Sequence, residues 1–226
     1  IFCVLDNPGA KYIWTLAIQA VVPLLDGHPA LLGESLANEP CMSRANSSYT
    51  LTNFRNFLRQ RYQHNESALV QAWAGAVKSF DDPLIAKAMG YVVYSARQQM
   101  DWRVFNKARV TAWFTWLCDT INSYKKSPAA NRCTIKLNNA DSGLTPWAGG
   151  SGLDRVALSR AVGINGCDTR ADASSEPHIP FPQYPANLFA SDFLMLSASY
   201  SLMKSFGTPA PVVDTEWHTT STVSFR

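Results

Sequence analysis

The stretch of sequence that decides the fold spans residues 82–126 and reads DPLIAKAMGYVVYSARQQMDWRVFNKARVTAWFTWLCDTINSYKK. Its apolar side chains recur every three or four residues, which places them on one face of a helix. Asp82 and Asp101 are suited to cap helix starts, because a short carboxylate accepts hydrogen bonds from the free amides of a first turn. The pattern predicts two helices, over 83–100 and 102–125, that pair as an antiparallel hairpin.

Helical patterns continue on both sides of this hairpin. Trp113 and Leu117, in its second helix, are expected to face the protein interior. Asn7 and Asn65 are placed to cap two of the remaining helices. Six further helices are predicted. One runs from residue 8 to an end between 23 and 27, one starts at the capping-box-like Ser151-x-x-Asp154 and ends at Gly163, and the others cover 28–37, 52–62, 66–80 and 185–207.

The predicted fold is mainly α, a helical bundle-like single domain with a loop-rich segment and an extended or strand-like C-terminal tail. The length of 226 residues suits one domain, and no linker separates two halves. Four parts make up this domain of residues 1–226, namely a helical core (1–126), a loop-rich segment with one short helix (127–184), a core helix (185–207) and the tail (208–226).

Composition excludes several classes of protein. Hydrophobic residues make up 46% of the chain, enough for a sizeable core, so intrinsic disorder is excluded. Charged residues make up 16% and the net charge is +3, which is too small to indicate nucleic-acid binding by itself. The longest apolar stretch, 13–25, is shorter than the roughly 20 residues that span a bilayer, so we expect no membrane span.

The five cysteines are scattered and form no Cys-x-x-Cys pair, so neither a zinc ribbon nor a dithiol redox motif is present. Cys118 lies in an aromatic-rich helical stretch and is expected to be a small buried apolar side chain. Cys133 and Cys167 flank a loop-rich region and could pair in an oxidising compartment. No cofactor motif is found, no cofactor is expected, and the compartment is not indicated.

Three metal-ligand side chains share one face of the predicted tail strand. Asp214, Glu216 and His218 alternate along the chain, and alternate residues of a strand point to the same side. They form a candidate metal site. The alternative is an ordinary polar strand face, which we favour because metal ligands usually come from several elements and are held by further hydrogen bonds.

Basic and aromatic residues interleave along two predicted helices, the pattern of a single-stranded nucleic-acid groove, where cations meet phosphates and rings stack on bases. The alternative is two ordinary amphipathic helices with cations facing water, which we favour. The candidate nucleic-acid-binding residues are Arg55, Arg59, Arg61, Tyr62, Arg103, Lys107 and Arg109.

Other motifs are weak. Ser201 and Lys204 have Ser-x-x-Lys spacing, but the serine lies inside a predicted helix and the partner motifs of acyl-serine enzymes are missing. The glycine-rich turn that ends at Gly152 could bind an anion at a helix start, although a loop that caps the helix is the better interpretation. Asp192 lies among apolar residues and is predicted to be a buried structural carboxylate with a cationic or hydroxyl partner.

No family can be matched residue by residue, so two hypotheses of function remain. The first is a non-catalytic assembly or binding protein, a self-associating subunit that contacts single-stranded nucleic acid as a coat or nucleocapsid-like protein does. The alternative is a small hydrolase with a site in the loops of residues 127–185 or a metal-dependent site at Asp214, Glu216 and His218.

Overall fold

The computed structural model describes residues 5–40, 42, 44–90, 95–126, 132–136, 152–167, 193–206 and 209–215. The chain divides into two compact units. The first unit contains Ile1–His28, Cys41–Pro128 and Gly150–Asp154, and the second contains Pro29–Pro40, Ala129–Gly149 and Arg155–Arg226. That residues 1–226 form a single domain stays a prediction, because a division into units does not establish whether either folds by itself.

The first unit is helical. Its elements are α1 (Pro8–Leu25), α2 (Ser48–Arg61), α3 (Glu66–Ala72), a 3-10 helix (Pro83–Met89) and α4 (Ala96–Ser123). The described residues of the second unit form four short strands and two helices. These are β1 (Glu34–Asn38), β2 (Cys133–Lys136), α5 (Arg155–Ala161), β3 (Asn165–Cys167), α6 (Phe193–Ser205) and β4 (Val212–Asp214).

Capping side chains begin the helices of the first unit. The Asn7 side chain accepts a hydrogen bond from the Gly9 amide at 2.9 Å, and Asn65 accepts one from the Ala68 amide at 3.1 Å. Both caps satisfy amides that have no partner within the helix. The predicted starts of α1 and α3 are therefore confirmed.

The predicted helix over 102–125 is confirmed up to Ser123, where α4 ends, but the predicted helix over 83–100 and the antiparallel hairpin are wrong. A 3-10 helix ends at Met89, and α4 begins after the cap Ser95 and runs through Asp101 without a break. Asp101 is fully buried inside α4, where its carboxylate binds side chains instead of capping amides. The prediction that Asp101 caps a helix is therefore wrong, because the neighbouring sequence does not show which groups its carboxylate contacts.

Aromatic rings form the core of the first unit. The ring of Phe54 lies 5.3 Å from Trp102 in an edge-to-face arrangement and 5.1 Å from Phe105, distances at which aromatic pairs attract one another. Trp113 and Leu117 are 6% and 4% exposed, which confirms that they face the interior.

A buried carboxylate lies beside this core. Asp101 accepts hydrogen bonds from the Tyr62 hydroxyl at 2.5 Å and the Trp73 indole at 2.9 Å. Arg61 Nε lies 2.8 Å from Asp101 Oδ1 without the alignment of a hydrogen bond, so that contact is ionic. Arg97 approaches the same oxygen at 3.6 Å. Burial, followed by the bond to Asp101, raises the pKa of Tyr62 and keeps its hydroxyl protonated as a donor.

The strands that the structure describes in the second unit, β1 to β4, run in the same direction. β1 pairs with β2 and β3 pairs with β4, each pair parallel. A parallel bridge between Thr134 and Ile164 joins the two pairs, so the strands follow one another in chain order. Parallel neighbours require long crossover connections, and here each connection contains at least one helix.

The predicted mainly α, bundle-like fold is therefore wrong. Residues 28–37 were predicted as a helix, but 34–38 form β1, and β2 lies in the predicted loop-rich segment. β4 lies in the predicted extended or strand-like tail, which confirms a strand there for 212–214, but it pairs with β3. Each strand has three to five residues, too few for alternation to stand out in the sequence. In the described part of the chain, none of the helices is long and apolar enough to cross a bilayer.

The cysteines also differ from expectation. Cys118 is fully buried, as expected of a small apolar side chain, but it belongs to a disulfide. Cys133 is disulfide-bonded too, whereas Cys167 is a free, buried thiol. Cys133 and Cys167 therefore do not pair with each other.

The carboxylate of Asp101 should contribute strongly to stability. We expect Asp101→Asn to lower the free energy of unfolding by about 2–4 kcal/mol, because Arg61 loses a buried counter-charge and a new amide donor faces existing donors. Urea denaturation measures the change. Asp81→Asn is the matched control, because Asp81 pairs with Arg59 at 2.6 Å but is 70% exposed. Water screens that pair, so the urea midpoint of Asp81→Asn should equal that of the wild type. Equal losses would contradict the prediction.

Gly166 should be required where β3 approaches β2. A Cβ atom there would lie 2.5 Å from the Ile135 carbonyl oxygen and 2.6 Å from the Thr134 hydroxyl oxygen, so the strands would have to separate. We expect Gly166→Ala to cost about 1–3 kcal/mol of unfolding free energy. Gly90→Ala is the control, since its nearest contact, the Lys87 carbonyl oxygen, is 3.8 Å away. Thermal melting curves that shift equally for both variants would refute the close approach.

Candidate active site

The carboxyl ends of the four parallel strands lie at one edge of the second unit, which we call the carboxyl edge. β1 and β2 end there with Asn38 and Lys136, which are partners in the strand register. β3 and β4 end there with Cys167 and Asp214, also partners in register. In parallel sheets and barrels, ligands and catalytic residues gather beyond this edge. The carboxyl edge is therefore the candidate active site.

Glu39 follows directly after β1 at the carboxyl edge. Its φ of 44° lies in the left-handed region, which residues other than glycine rarely adopt. Pro40 comes next, and a residue before proline normally takes an extended backbone. A strained backbone persists where surrounding structure holds it, and it is concentrated at functional sites. The half-buried Glu39 is therefore the leading candidate for a catalytic side chain.

The sequence did not reveal Glu39 as a functional residue. The sequence predicts a helix over 28–37, which places Glu39 and Pro40 in the loop that follows that helix. The segment before them, ESLAN, is poor in β-branched residues, so nothing marked it as a strand. The usable signal was an acidic residue immediately before proline, where a regular element must end and the chain must turn.

On the other strand pair, Asp214 is hydrogen-bonded within the second unit. The Tyr200 hydroxyl of α6 donates to its carboxylate at 2.8 Å. Burial of the Tyr200 ring, together with this hydrogen bond, raises the pKa of Tyr200 above its usual range. The Thr215 amide and hydroxyl both donate to the Cys167 carbonyl oxygen, at 2.7 and 2.8 Å, and hold the end of β4 against β3.

The predicted metal ligands are placed only in part. Asp214 ends β4, whereas Glu216 and His218 lie outside the described residues. Within the described ranges, no three His, Cys, Asp or Glu side chains are grouped so that they could hold a metal ion. The metal-site prediction for these three residues therefore stays a prediction.

The predicted basic residues on α2 bind acidic and carbonyl groups of the first unit. Arg55 donates to the carbonyl oxygens of Asp81 and Asp82, at 3.0 and 3.3 Å. Arg59 forms an ion pair with Asp81, which lowers the pKa of that carboxyl. Arg61 pairs with the buried Asp101, whereas Tyr62 is itself buried and donates to Asp101.

The predicted basic residues on α4 are placed differently from one another. Arg109 is largely buried and forms an ion pair with Asp6 at 2.9 Å, and burial lowers its pKa. Arg103 is exposed and Lys107 is half-buried. Asp192, predicted to be a buried carboxylate, lies outside the described residues.

The chain matches the family model described as Glyco_hydro_42, beta-galactosidase, over residues 10–154. A search of curated proteins gives no match. Among solved structures, an apo exo-carrageenase GH42 from Bacteroides ovatus is 25% identical with a TM-score of 0.63, over 92% of this chain and 29% of that chain.

Two further structures have the same fold. The beta-galactosidase from the psychrophilic Marinomonas ef1 is 15% identical, with a TM-score of 0.70 over 94% of this chain and 32% of that chain. The beta-galactosidase from the haloarchaeon Halorubrum lacusprofundi is 15% identical, with a TM-score of 0.59 over 95% of this chain and 37% of that chain. The chain thus spans about a third or less of the length of the first two structures.

These findings correct the fold and the function predicted from the sequence. The parallel strands belong to a TIM-barrel glycoside hydrolase fold, not to a helical bundle. Membership of a glycoside hydrolase family also overturns the predicted non-catalytic assembly protein, coat or nucleocapsid-like, and the interpretation of the chain as a structural protein. The model matches well over half of the chain, so the chain belongs to glycoside hydrolase family 42, whose model is described as beta-galactosidase.

Proposed function

We propose that this chain contributes to the active site of a glycoside hydrolase that cleaves β-galactosides, with Glu39 as one of two catalytic carboxylates. The observation that carries the proposal is the position of Glu39, directly after a parallel strand and in a strained backbone conformation. In TIM barrels, catalytic residues come from the carboxyl ends of several strands. Family membership supports glycoside hydrolysis as the chemistry.

Glycoside hydrolysis needs two carboxyl groups on opposite sides of the scissile bond. One protonates the leaving oxygen, while the other attacks the sugar or activates a water molecule. Glu216 is our candidate for the second group, because it follows β4 by two residues in the sequence. Asp214 is less suitable, because Tyr200 already donates to its carboxylate.

Barrel curvature supports the choice of one catalytic carboxylate after β1 and the other after β4. These strands are three strand spacings apart in the observed order, which would separate their ends by about 14 Å in a flat sheet. Closure of eight strands into a barrel curves the sheet and turns the ends of separated strands toward a common mouth. Two carboxylates that a flat sheet keeps apart can then face the same glycosidic bond.

β-Galactosides are the substrate class we propose. Beta-galactosidase is the name of the matched family model and of the structures from Marinomonas ef1 and Halorubrum lacusprofundi. The exo-carrageenase from Bacteroides ovatus shares more identity, so carrageenan is the second substrate to test. p-Nitrophenyl β-galactoside provides a direct colorimetric assay of the first class.

Glu39 should be essential for hydrolysis. In the protein that carries this chain, we expect Glu39→Gln to lower kcat for p-nitrophenyl β-galactoside by at least about 10²-fold, because an amide cannot exchange the proton or attack. Glu34→Gln is the matched control, since Glu34 begins the same strand at the opposite edge. It should keep wild-type kcat. Wild-type activity of Glu39→Gln would refute the proposed function.

The leaving group should separate the roles of the two carboxylates. Loss of the proton donor matters little when the leaving group is already a weak base, such as 2,4-dinitrophenolate, whereas loss of the other carboxylate matters for every substrate. We therefore expect one of Glu39→Ala and Glu216→Ala to keep substantial activity on the dinitrophenyl galactoside, and the other to lose it. Full activity of Glu216→Ala on all galactosides would remove Glu216 from the pair.

A further inference from the structure

We infer that α1 has a second packing face, and that the βα unit preceding α1 in the barrel covers this face. This interaction surface goes beyond the proposed function, because it concerns what encloses the helices of the first unit. The face consists of apolar side chains that the first unit leaves exposed. We call it the outer stripe, and its members are Ile13, Leu16, Ala17, Ala20, Val21 and Leu24.

The outer stripe follows the periodicity of one helix face. Its members succeed one another at steps of three and four residues, counted from Ile13, and such positions share one side of an α-helix. Leu24 is 81% exposed and Ile13 is 67% exposed. None of the six side chains can form a hydrogen bond, so contact with water is unfavourable along the whole stripe.

The opposite side of α1 is already covered within the first unit. Ile18 and Val22 are the buried residues of the helix, and α1 packs against α4. The Lys11 ammonium lies over the ring of Trp116 on α4, 5.0 Å from its centre. With about 3.6 residues per turn, Lys11, Ile18 and Val22 lie on the side of the helix opposite the outer stripe. One face of α1 therefore contacts α4, and the other contacts no element of the first unit.

A helix with two apolar faces is normally enclosed on both. Lys11 is the single charged residue of α1, and it lies on the α4 side. Scattered apolar side chains are ordinary on a protein surface, but a continuous stripe along a helix of 18 residues marks an interface. A side chain that is exposed in the whole chain is at least as exposed in the first unit by itself. The first unit therefore presents a surface that another segment has to cover.

The geometry of a barrel indicates which segment covers the outer stripe. In a TIM barrel each strand is followed by a helix, and these helices form an outer ring, so every helix has a neighbour on both sides. α4 comes after α1 in the chain and is its neighbour on one side. The neighbour on the other side is then the helix that comes before α1, together with the strand that leads into α1.

The lengths of the similar structures support this occupant. The chain corresponds to 29% of the exo-carrageenase from Bacteroides ovatus and to 32% of the beta-galactosidase from Marinomonas ef1. The structure describes four parallel strands, whereas a TIM barrel has eight. A barrel that closes around these four strands needs further βα units, and their helices offer the apolar surface that the outer stripe requires.

Cysteine labelling tests whether the outer stripe is covered. In the protein that carries this chain, we expect Leu24→Cys and Val21→Cys to react with a water-soluble maleimide at least about 10²-fold more slowly than Met100→Cys, because the reagent cannot reach a buried thiol. Val21→Cys changes the side-chain volume little, so it tests burial even if Leu24→Cys weakens the fold. In urea all three thiols should react at the same rate.

Met100 is the matched control for Val21. Both are apolar side chains in helices of the first unit, and they are 52% and 49% exposed. Met100 differs in its surroundings, because Arg97 and Arg103 lie three residues away on either side along α4 and are exposed. Met100 is thus an isolated apolar side chain on a charged surface, and its cysteine variant should react freely.

Photocrosslinking identifies the occupant. With p-benzoylphenylalanine introduced in place of Leu24, irradiation should join this position to a peptide outside residues 1–226 of the same polypeptide, which mass spectrometry identifies. That crosslink together with slow labelling supports the inference. Every other result overturns it, whether both thiols react as fast as that of Met100→Cys, no crosslink forms, the crosslink lies within residues 1–226, or a covalent dimer shows that a second copy is the occupant.

Discussion

The proposed function of this chain depends on one constraint, the strained backbone turn at Glu39 and Pro40. A left-handed glutamate before proline is unfavourable by itself, so neighbouring structure has to hold it. The strand before it is fixed by parallel pairing, since Asn38 is the register partner of Lys136 in β2. A carboxylate held in this way has little freedom to reorient, which is what a catalytic group requires.

Internal ion pairs explain why the basic residues were misleading. The sequence shows how many cations a helix carries, but not which of them face acids across the fold. Arg61 and Arg109 pair with Asp101 and Asp6, which lie 40 and 103 positions away along the chain. A stripe of arginines and rings in the sequence is therefore compatible with a scaffold whose charges are satisfied internally, and it does not by itself indicate phosphate binding.

The helices could be predicted because their signals are local. The strands could not, because they depend on pairing between residues that are far apart in the sequence. Asn7 and Asn65 act within three residues of themselves, so the starts of α1 and α3 could be read from the sequence. β1 exists because Glu34 and Ser35 pair with Cys133 and Thr134, almost a hundred residues later. Such pairing leaves no periodic trace in a five-residue segment, and Glu39 was missed together with the strand that positions it.

Close contact between distant backbone segments also cannot be predicted from the sequence. Gly152 was interpreted as part of a turn that caps a helix, and its role there says nothing about a partner 110 residues earlier. In the structure the same glycine lies against the Met42 carbonyl, because no other residue leaves room for both Met42 and Asn106. A glycine between elements can therefore mark the place where two distant segments meet. In this chain the two segments are those of Met42 and Gly152, which meet at the side chain of Asn106 on α4.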